Sequence, residues 1–156
     1  MLKPFHFFAF VFSAFVAGCG TTQPPVAGLE SPDKLTVYSL DPTPSKADSK
    51  EEKLGKYRVL GKVDVKDSEE RNAIAAAIQD AIAHPDGTQN KCFDPRHAVV
   101  VVEKGKTLEI IICFSCRNYS LNGQGTTPAI GRQPKETLNA ILRKGGVELA
   151  PEPSTP

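Results

Sequence analysis

The chain has 156 residues, of which 40% are hydrophobic and 24% are charged, which is enough for one domain with its own core. Its 19 Lys and Arg residues nearly balance its 18 Asp and Glu residues, so the formal net charge is +1. A near-neutral chain of mixed sign argues against nucleic-acid binding, which requires a basic face.

The first 19 residues combine a positive amino terminus, an apolar run and small residues before a cysteine. Lys3 supplies positive charge near the amino terminus, and the apolar run 7–16 follows it. At about ten residues this run is too short for the ~20 that cross a hydrocarbon core. It ends in Val16-Ala17-Gly18-Cys19, which resembles the lipobox that precedes a lipidated cysteine. The pattern predicts a signal peptide over 1–18 and lipidation at Cys19, and ordinary secretory cleavage beside a coincidental cysteine is the alternative.

Lipidation at Cys19 would place the protein on a membrane of the cell envelope. Buried acyl chains contribute ~0.8 kcal/mol per methylene, so several chains anchor a protein firmly. Gly20 follows the cysteine, where an aspartate would resemble an inner-membrane retention signal. We therefore expect a periplasm-facing protein, anchored in the outer rather than the inner membrane. The proline-rich stretch 19–33 predicts a flexible tether, and no second hydrophobic span follows it.

Beyond the tether, the sequence predicts one domain over 34–151 and a disordered tail over 152–156. Alternating apolar residues predict strands over 34–40 and 56–65, with a bulge or bend at Gly61. A helix is expected to begin at a cap formed by Asp67 or Ser68. It presents one apolar face, which comprises Ile74, Ile78 and Ile82 with Ala73, Ala77 and Ala81 beside them.

The segment 97–114 predicts a β-hairpin that turns at Lys104-Gly105. Pairing Glu103 with Lys106 puts Val101 opposite Leu108 and Val99 opposite Ile110. Because alternate residues share a face, this register predicts a core face formed by Val99, Val101, Leu108, Ile110, Ile112 and Phe114.

The chain after the hairpin predicts a strand continuation and a last helix. We expect "CRNYSL" (116–121) to extend the second hairpin strand, and a helix to run from about Lys135 to Lys144 after Pro134. The predicted fold class is α+β, with a mostly antiparallel sheet of four or five strands and two helices packed on one face.

With Cys19 lipidated, Cys92, Cys113 and Cys116 remain, and an oxidising compartment favours pairing two of them. Continuing the hairpin register puts Cys116 across from Phe93 and therefore diagonally beside Cys92. The first interpretation is a Cys92–Cys116 disulfide, with Cys113 as a buried small hydrophobic residue. Residues three apart on a flat strand face opposite ways, so all three thiols can meet only if the chain bends between Cys113 and Cys116.

Two other uses of the thiols stay open. If the chain turns at Phe114-Ser115, Cys92, Cys113 and Cys116 with His97 would form a Cys₃His set for zinc. The C-x-x-C spacing also suits thiol redox chemistry, although that chemistry usually places its first cysteine at a helix amino terminus. No cofactor is expected under the disulfide interpretation, and zinc is the alternative cofactor.

Arg96 and His97 follow Pro95 on the way into the hairpin. If exposed, they would form a small anion-binding or acid–base site with Asp94. The alternative is that Asp94 and Arg96 pair locally while His97 caps the strand edge. No residues with the arrangement of a known catalytic motif were found, and we expect no catalytic residues.

From Leu35 onward the chain contains the segments "LTVYSLDP", "VLGKVDV", "CFDPRH" with "ICFSC", and "ILRKGGVELAP". In these segments it resembles a family of small bacterial lipoproteins to which no activity is assigned. The resemblance implies that Cys92, Arg96, His97, Cys113 and Cys116 form the recognisable feature of the family. The leading hypothesis is a non-enzymatic, membrane-anchored domain that binds a partner or small ligand in the envelope. A metal-binding or thiol-redox protein is the alternative.

Overall fold

The computed structural model describes residues 24–125 and 128–152. The predicted signal peptide, Cys19, the start of the tether and the last four residues of the tail lie outside the described residues. Within them, no helix has both the length and the apolar character that crossing a bilayer requires.

The described residues form six strands and two helices. In chain order these are β1 (Lys34–Pro44), β2 (Lys53–Leu54), β3 (Tyr57–Asp64), α1 (Ser68–Ala83), β4 (His97–Glu103), β5 (Lys106–Cys113), β6 (Asn118–Leu121) and α2 (Lys135–Lys144). The strands form one curled sheet in the order β2-β3-β1-β4-β5-β6, with every neighbouring pair antiparallel. The predicted α+β fold with a mostly antiparallel sheet is confirmed. The predicted number of strands, four or five, is too low, because the sheet has six.

The extra strands arise at the two edges of the sheet. The short β2 lies between the two strands predicted over 34–40 and 56–65, and it pairs with the start of β3. At the other edge, "CRNYSL" does not extend β5 as predicted: the chain reverses over 114–117, and β6 pairs back with β5. The reversal gives the backbone groups of this segment ladder partners on β5, which a straight extension beyond the end of β4 would lack.

The hairpin of β4 and β5 has the predicted register. Glu103 lies opposite Lys106, and the pairs Val101–Leu108 and Val99–Ile110 follow. Lys104 and Gly105 both have positive φ, as a two-residue hairpin turn of this kind requires. All six predicted core residues of this hairpin are buried in one apolar cluster.

A bulge in β3 lies beside Gly61, where the sequence predicted a bulge or bend. Ser39 pairs with Gly61 and Leu40 pairs with Val59, so Leu60 is the extra residue. The extra residue reverses which side of the sheet the following side chains of β3 point to. Tyr57 and Val59 therefore pack on one side of the sheet, whereas Val63 packs on the other.

Both helices form as the sequence indicated. Asp67 is the N-cap of α1, and its side chain accepts a hydrogen bond from the backbone N–H of Glu70 at 2.8 Å. The buried face of α1 contains the three predicted isoleucines, with Ala75 and Ala81 as its buried alanines, whereas Ala73 is exposed. Helix α2 begins after Pro134 and ends at Gly145.

The two helices contribute to a single large core on one face of the sheet. This covered face joins α1 and α2 to the strand residues Leu35, Val37, Val99, Val101, Leu108, Ile110 and Ile112. The opposite face, called the open face below, carries a smaller cluster of Leu40, Tyr57, Ala98 and Ile111, against which Tyr38, Leu54, Val59 and Phe93 pack. No residue of α1 or α2 belongs to this second cluster.

Candidate functional site

Two cysteines lie in and next to the turn between β5 and β6. Cys113 is the last residue of β5, and Cys116 lies within the turn that leads to β6. Arg117 has a φ of 57°, a left-handed conformation that a residue with a side chain adopts only in a tight reversal. This reversal is the bend that the sequence required before Cys113 and Cys116 can approach a common partner.

Cys92 and Cys116 form a disulfide, with their Cα atoms 5.6 Å apart. The first interpretation of the thiols is thereby confirmed for this pair. Cys113 is the free cysteine among the described residues, and it is buried. The three sulfur atoms lie within 4.8 Å of one another, with Cys92 exposed and the other two buried. We call these residues the cysteine cluster.

The sulfur of Cys113 has polar neighbours, although it is buried. The backbone N–H of Cys116 donates a hydrogen bond to it at 3.3 Å. The hydroxyl of Ser115 lies 3.3 Å from it and 3.9 Å from the sulfur of Cys116. The thiol itself donates to the backbone oxygen of Asp94 at 3.4 Å. Cys113 is therefore hydrogen-bonded to the segment that carries Cys92, and it does not act only as a small hydrophobic residue.

Hydrogen bonds also hold the Cys92 segment beside the turn. The side-chain N–H groups of Asn118 donate to the backbone oxygens of Asn90 and Cys92, at 3.1 and 2.8 Å. The backbone N–H of Asn90 donates to the oxygen of Cys116 at 2.9 Å. None of these three hydrogen bonds involves a sulfur atom.

His97 lies away from the cysteine cluster, on the covered face. It pairs with Ile112, and directly opposite residues of an antiparallel pair share a face, so His97 and Cys113 point to opposite sides of the sheet. Its Nε2 atom lies 2.7 Å from Oδ1 of Asn139 in α2. Because an amide oxygen only accepts, Nε2 carries the proton. Of the predicted Cys₃His set, the structure brings together the three sulfurs and not the imidazole.

Burial lowers the pKa of His97 below its usual 6.5. The hydrogen bond to Asn139 opposes this effect, and the positive charges of Lys135 and Arg96 add to it. The imidazole is thus a neutral structural group that joins β4 to α2.

Arg96 contacts two backbone oxygens. Its Nε donates to the oxygen of Pro151 at 2.6 Å, and one terminal nitrogen donates to the oxygen of Asp94 at 3.0 Å. Arg96 and His97 line a small cavity together with Lys135 and Glu152, which form an ion pair at 2.8 Å. The predicted anion-binding site of Arg96 and His97 is therefore lined by a carboxylate of the chain itself, that of Glu152.

A groove opens on the open face of the sheet, next to the segment that carries Cys92. Its cavity volume is about 430 Å³, and its apolar floor consists of Tyr57, Phe93 and Ile111. Gly55 closes one side so tightly that an added Cβ would lie 3.0 Å from Cδ1 of Ile111. The hydroxyl of Tyr57 donates to the backbone oxygen of Phe93 at 3.3 Å, which joins β3 to the Cys92 segment.

The rim of the groove is polar. Lys56 is exposed there, and its ammonium lies 5.5 Å from the centre of the Tyr57 ring. Ser120, Gln124 and the glycines at 123 and 125 form the opposite side. The hydroxyl of Ser120 donates to the backbone oxygen of Gln124 at 2.8 Å, so the loop after β6 is held against the strand. The groove therefore combines an apolar floor with one cation at its edge.

No family model, curated protein or solved structure matches this chain. The resemblance to small bacterial lipoproteins accordingly stays an expectation from the sequence.

Three residues that organise these sites are not predicted from the sequence. The sequence indicates only a turn at Ser115 and only an extended strand at Asn118. Asn139 lies at i+1 from Leu138 on an amphipathic helix, where a buried amide has no sequence signal of its own. In contrast, the face of the sheet on which His97 lies could be predicted. The predicted hairpin register, continued by two residues beyond Val99 and Ile110, pairs His97 with Ile112.

Proposed function

We propose that this chain is a lipid-anchored protein of the bacterial cell envelope, and that its folded part is a non-enzymatic domain which binds a small ligand in the groove of the open face. Lipidation at Cys19 is supported by the order of charge, apolar run, small residues and cysteine at the amino terminus. Ligand binding is supported by the groove.

One observation carries the binding proposal: the sheet has an apolar cluster on the face that neither helix joins. The concavity beside this buried cluster has an apolar floor and a polar rim, an arrangement typical of small-molecule sites. Its 430 Å³ fall within the range of about 300–1,000 Å³ that small-molecule sites occupy.

The lining residues indicate the chemistry of the ligand. The floor formed by Tyr57, Phe93 and Ile111 suits an apolar or aromatic body, and Lys56 suits one anionic group at its edge. Ser120 and Gln124 add polar groups across the groove from Lys56. We therefore propose a small amphipathic molecule that has one acidic group.

Titration with the dye 8-anilinonaphthalene-1-sulfonate, an aromatic body bearing a sulfonate, tests this function. We expect saturable fluorescence enhancement with the purified chain, and a Kd about tenfold weaker for Lys56→Glu, which corresponds to about 1.4 kcal/mol. Lys66→Glu is the matched control, because it makes the same charge change at an exposed residue outside the groove. Equal Kd values for Lys56→Glu and the unsubstituted chain would overturn the proposal.

The anchoring proposal has a separate test. Cells that express the chain are grown with labelled palmitate, and Cys19→Ser is compared with the unsubstituted chain. We expect the label and the membrane association to be lost together in Cys19→Ser. Retention of the chain in the membrane fraction without label would contradict lipidation.

Zinc binding is the second candidate function, and the proximity of the three sulfurs favours it. The disulfide must first be reduced, because zinc binds thiolates. After reduction, Cys92, Cys113 and Cys116 would supply three ligands. Stoichiometric zinc that is lost in Cys113→Ser would support this candidate, and persistence of binding in His97→Ala would show that the imidazole is not the fourth ligand.

A further inference from the structure

We propose that the cysteine cluster is a thiol–disulfide exchange site, in which the Cys113 thiol displaces Cys92 from Cys116 and leaves a reactive thiol on the surface. This inference goes beyond the proposed binding function, and it stands on the three cysteines and their neighbours alone.

The reacting atoms are already together. A free thiol and a disulfide lie within one group of sulfurs whose members are no more than 4.8 Å apart. Exchange requires only that a thiolate attack a disulfide sulfur, and no cofactor or external oxidant takes part.

The step conserves atoms and electrons. The Cys113 thiol loses its proton, and its sulfur attacks the sulfur of Cys116. The Cys113–Cys116 bond forms while the Cys92–Cys116 bond breaks, and the electron pair of the broken bond leaves with Cys92. Cys92 then takes up a proton, so the products are one disulfide and one thiol, as before.

Burial decides which sulfur leaves. A departing thiolate at Cys92 is exposed and can be hydrated, whereas one at Cys116 would be completely buried. Desolvation disfavours a buried thiolate, and a better-stabilised thiolate leaves faster. Attack on Cys116 is therefore favoured over attack on Cys92.

The surroundings of the cluster fit this step. The backbone N–H of Cys116 donates to the attacking sulfur, and the hydroxyl of Ser115 lies 3.3 Å from that sulfur and 3.9 Å from the sulfur of Cys116. The bonds from Asn118 keep the Cys92 segment in place after release, which makes the exchange reversible.

The released Cys92 thiol defines a class of partner. An exposed thiolate attacks small disulfides, forming a mixed disulfide on Cys92 and releasing the other half as a thiol. Glutathione disulfide is a suitable probe of this class.

Trapping the surface thiol tests the proposal. The full chain carrying Cys19→Ser is purified in mild detergent without reductant, so that only the three cluster cysteines can react. It is incubated at pH 8 with N-ethylmaleimide or with glutathione disulfide, quenched in acid, digested with pepsin at low pH so that thiols cannot exchange further, and mapped by mass spectrometry.

We expect the starting protein to contain the Cys92–Cys116 bond, and the trapped protein to carry its adduct on Cys92 together with a Cys113–Cys116 bond. An adduct on Cys113 with the original disulfide intact would overturn the proposal. An adduct on Cys116, or no adduct until the protein is denatured, would overturn it as well.

Two variants add independent tests in the same background. Cys113→Ser has no free thiol in the cluster, so labelling of Cys92 must be lost. Cys92→Ser leaves only the pair that the exchange would join, and we expect no free thiol after oxidative folding. Two free thiols in denatured Cys92→Ser would show that Cys113 and Cys116 do not pair.

Discussion

The two faces of the sheet have different partners, although the same strands supply both. Ile110 and Ile111 are neighbours in β5, and both are almost fully buried. Ile110 points into the core that the two helices complete, whereas Ile111 forms the floor of a groove. Because successive side chains of a strand point to opposite faces, one strand can serve a stabilising surface and a binding surface at once.

The position of the cysteines follows the same division. Cys113 lies two residues after Ile111 in β5, so it points to the same, open face. On the covered face, the contact between His97 and Asn139 joins the sheet to α2. The covered face therefore holds neutral and apolar groups that fix the fold. The open face holds the groups that can react or bind: a thiol, a disulfide and a cation beside an apolar floor.

The largest effect should separate the two isoleucines. We expect Ile110→Ala to lower the free energy of unfolding by about 3–4 kcal/mol, because it leaves a cavity that the helices enclose. Ile111→Ala should cost about 2 kcal/mol, the lower end of the range for a buried isoleucine, since the space that it leaves is continuous with the groove. Urea denaturation of both variants measures the difference, and equal losses would show that the two faces are equally closed.

Removing the disulfide should have the next largest effect. We expect the double variant Cys92→Ala with Cys116→Ala to lose about 2–4 kcal/mol of unfolding free energy, because its unfolded chain is no longer cross-linked. Cys113→Ser is the matched control, and it should lose less than about 1 kcal/mol because a hydroxyl can replace the thiol in its polar contacts. A loss from Cys113→Ser as large as that of the double variant would indicate that all three sulfurs act together, as in a metal site.

Acid should weaken the covered face through His97. The pKa of this imidazole is lowered in the folded state, so the unfolded chain binds the proton more tightly. The stability that His97 contributes is complete above pH 6.5 and is lost as the pH falls from there through the lowered folded-state pKa. The slope is at most about 1.4 kcal/mol per pH unit.

His97→Gln provides the comparison, because glutamine does not titrate. We expect the stability of the unsubstituted chain to fall more steeply than that of His97→Gln when urea denaturation is repeated from pH 7.5 downward. Lys135 and Arg96 add to the effect and Glu152 opposes it, and all three remain in the variant. Parallel curves would contradict a buried, neutral His97.

The smallest effect concerns the start of α1, which helps to cover the core. Asp67→Ala removes the side-chain bond to the N–H of Glu70, and we expect a loss of about 1 kcal/mol in thermal or urea unfolding. Asp67→Asn should retain most of the stability, because its amide oxygen can accept the same bond. If Asp67→Asn proves as unstable as Asp67→Ala, the charge of Asp67 matters more than the cap.

Much of the covered face could be predicted because its determinants are local. The hairpin register depends on a turn of two residues, and the alternation of apolar side chains then assigned Val99, Val101, Leu108 and Ile110 to the core. The start of α2 followed from Pro134 in the same way. The Cys92–Cys116 pair was predicted from a continued register that the structure does not have, because the chain reverses over 114–117, although the disulfide itself is present.

The open face could be predicted far less well. Its groove joins residues from the β2–β3 turn, the Cys92 segment, β5 and the loop after β6. None of these segments has a sequence motif that indicates a binding site, and the concavity forms only where the segments meet in the fold. The undercount of strands has the same origin, since β2 and β6 are short edge strands whose pairing depends on where the chain reverses.

The sequence by itself determined the hairpin register, the helices and the core face, because each depends on residues that are close along the chain. It also contains the lipobox pattern on which the proposed anchoring rests. Only the tertiary structure placed β1 between β3 and β4, turned the chain between Cys113 and Cys116, and brought Asn139 to His97. These contacts join residues that are distant in sequence, so they depend on how the whole sheet closes and on which face the helices cover.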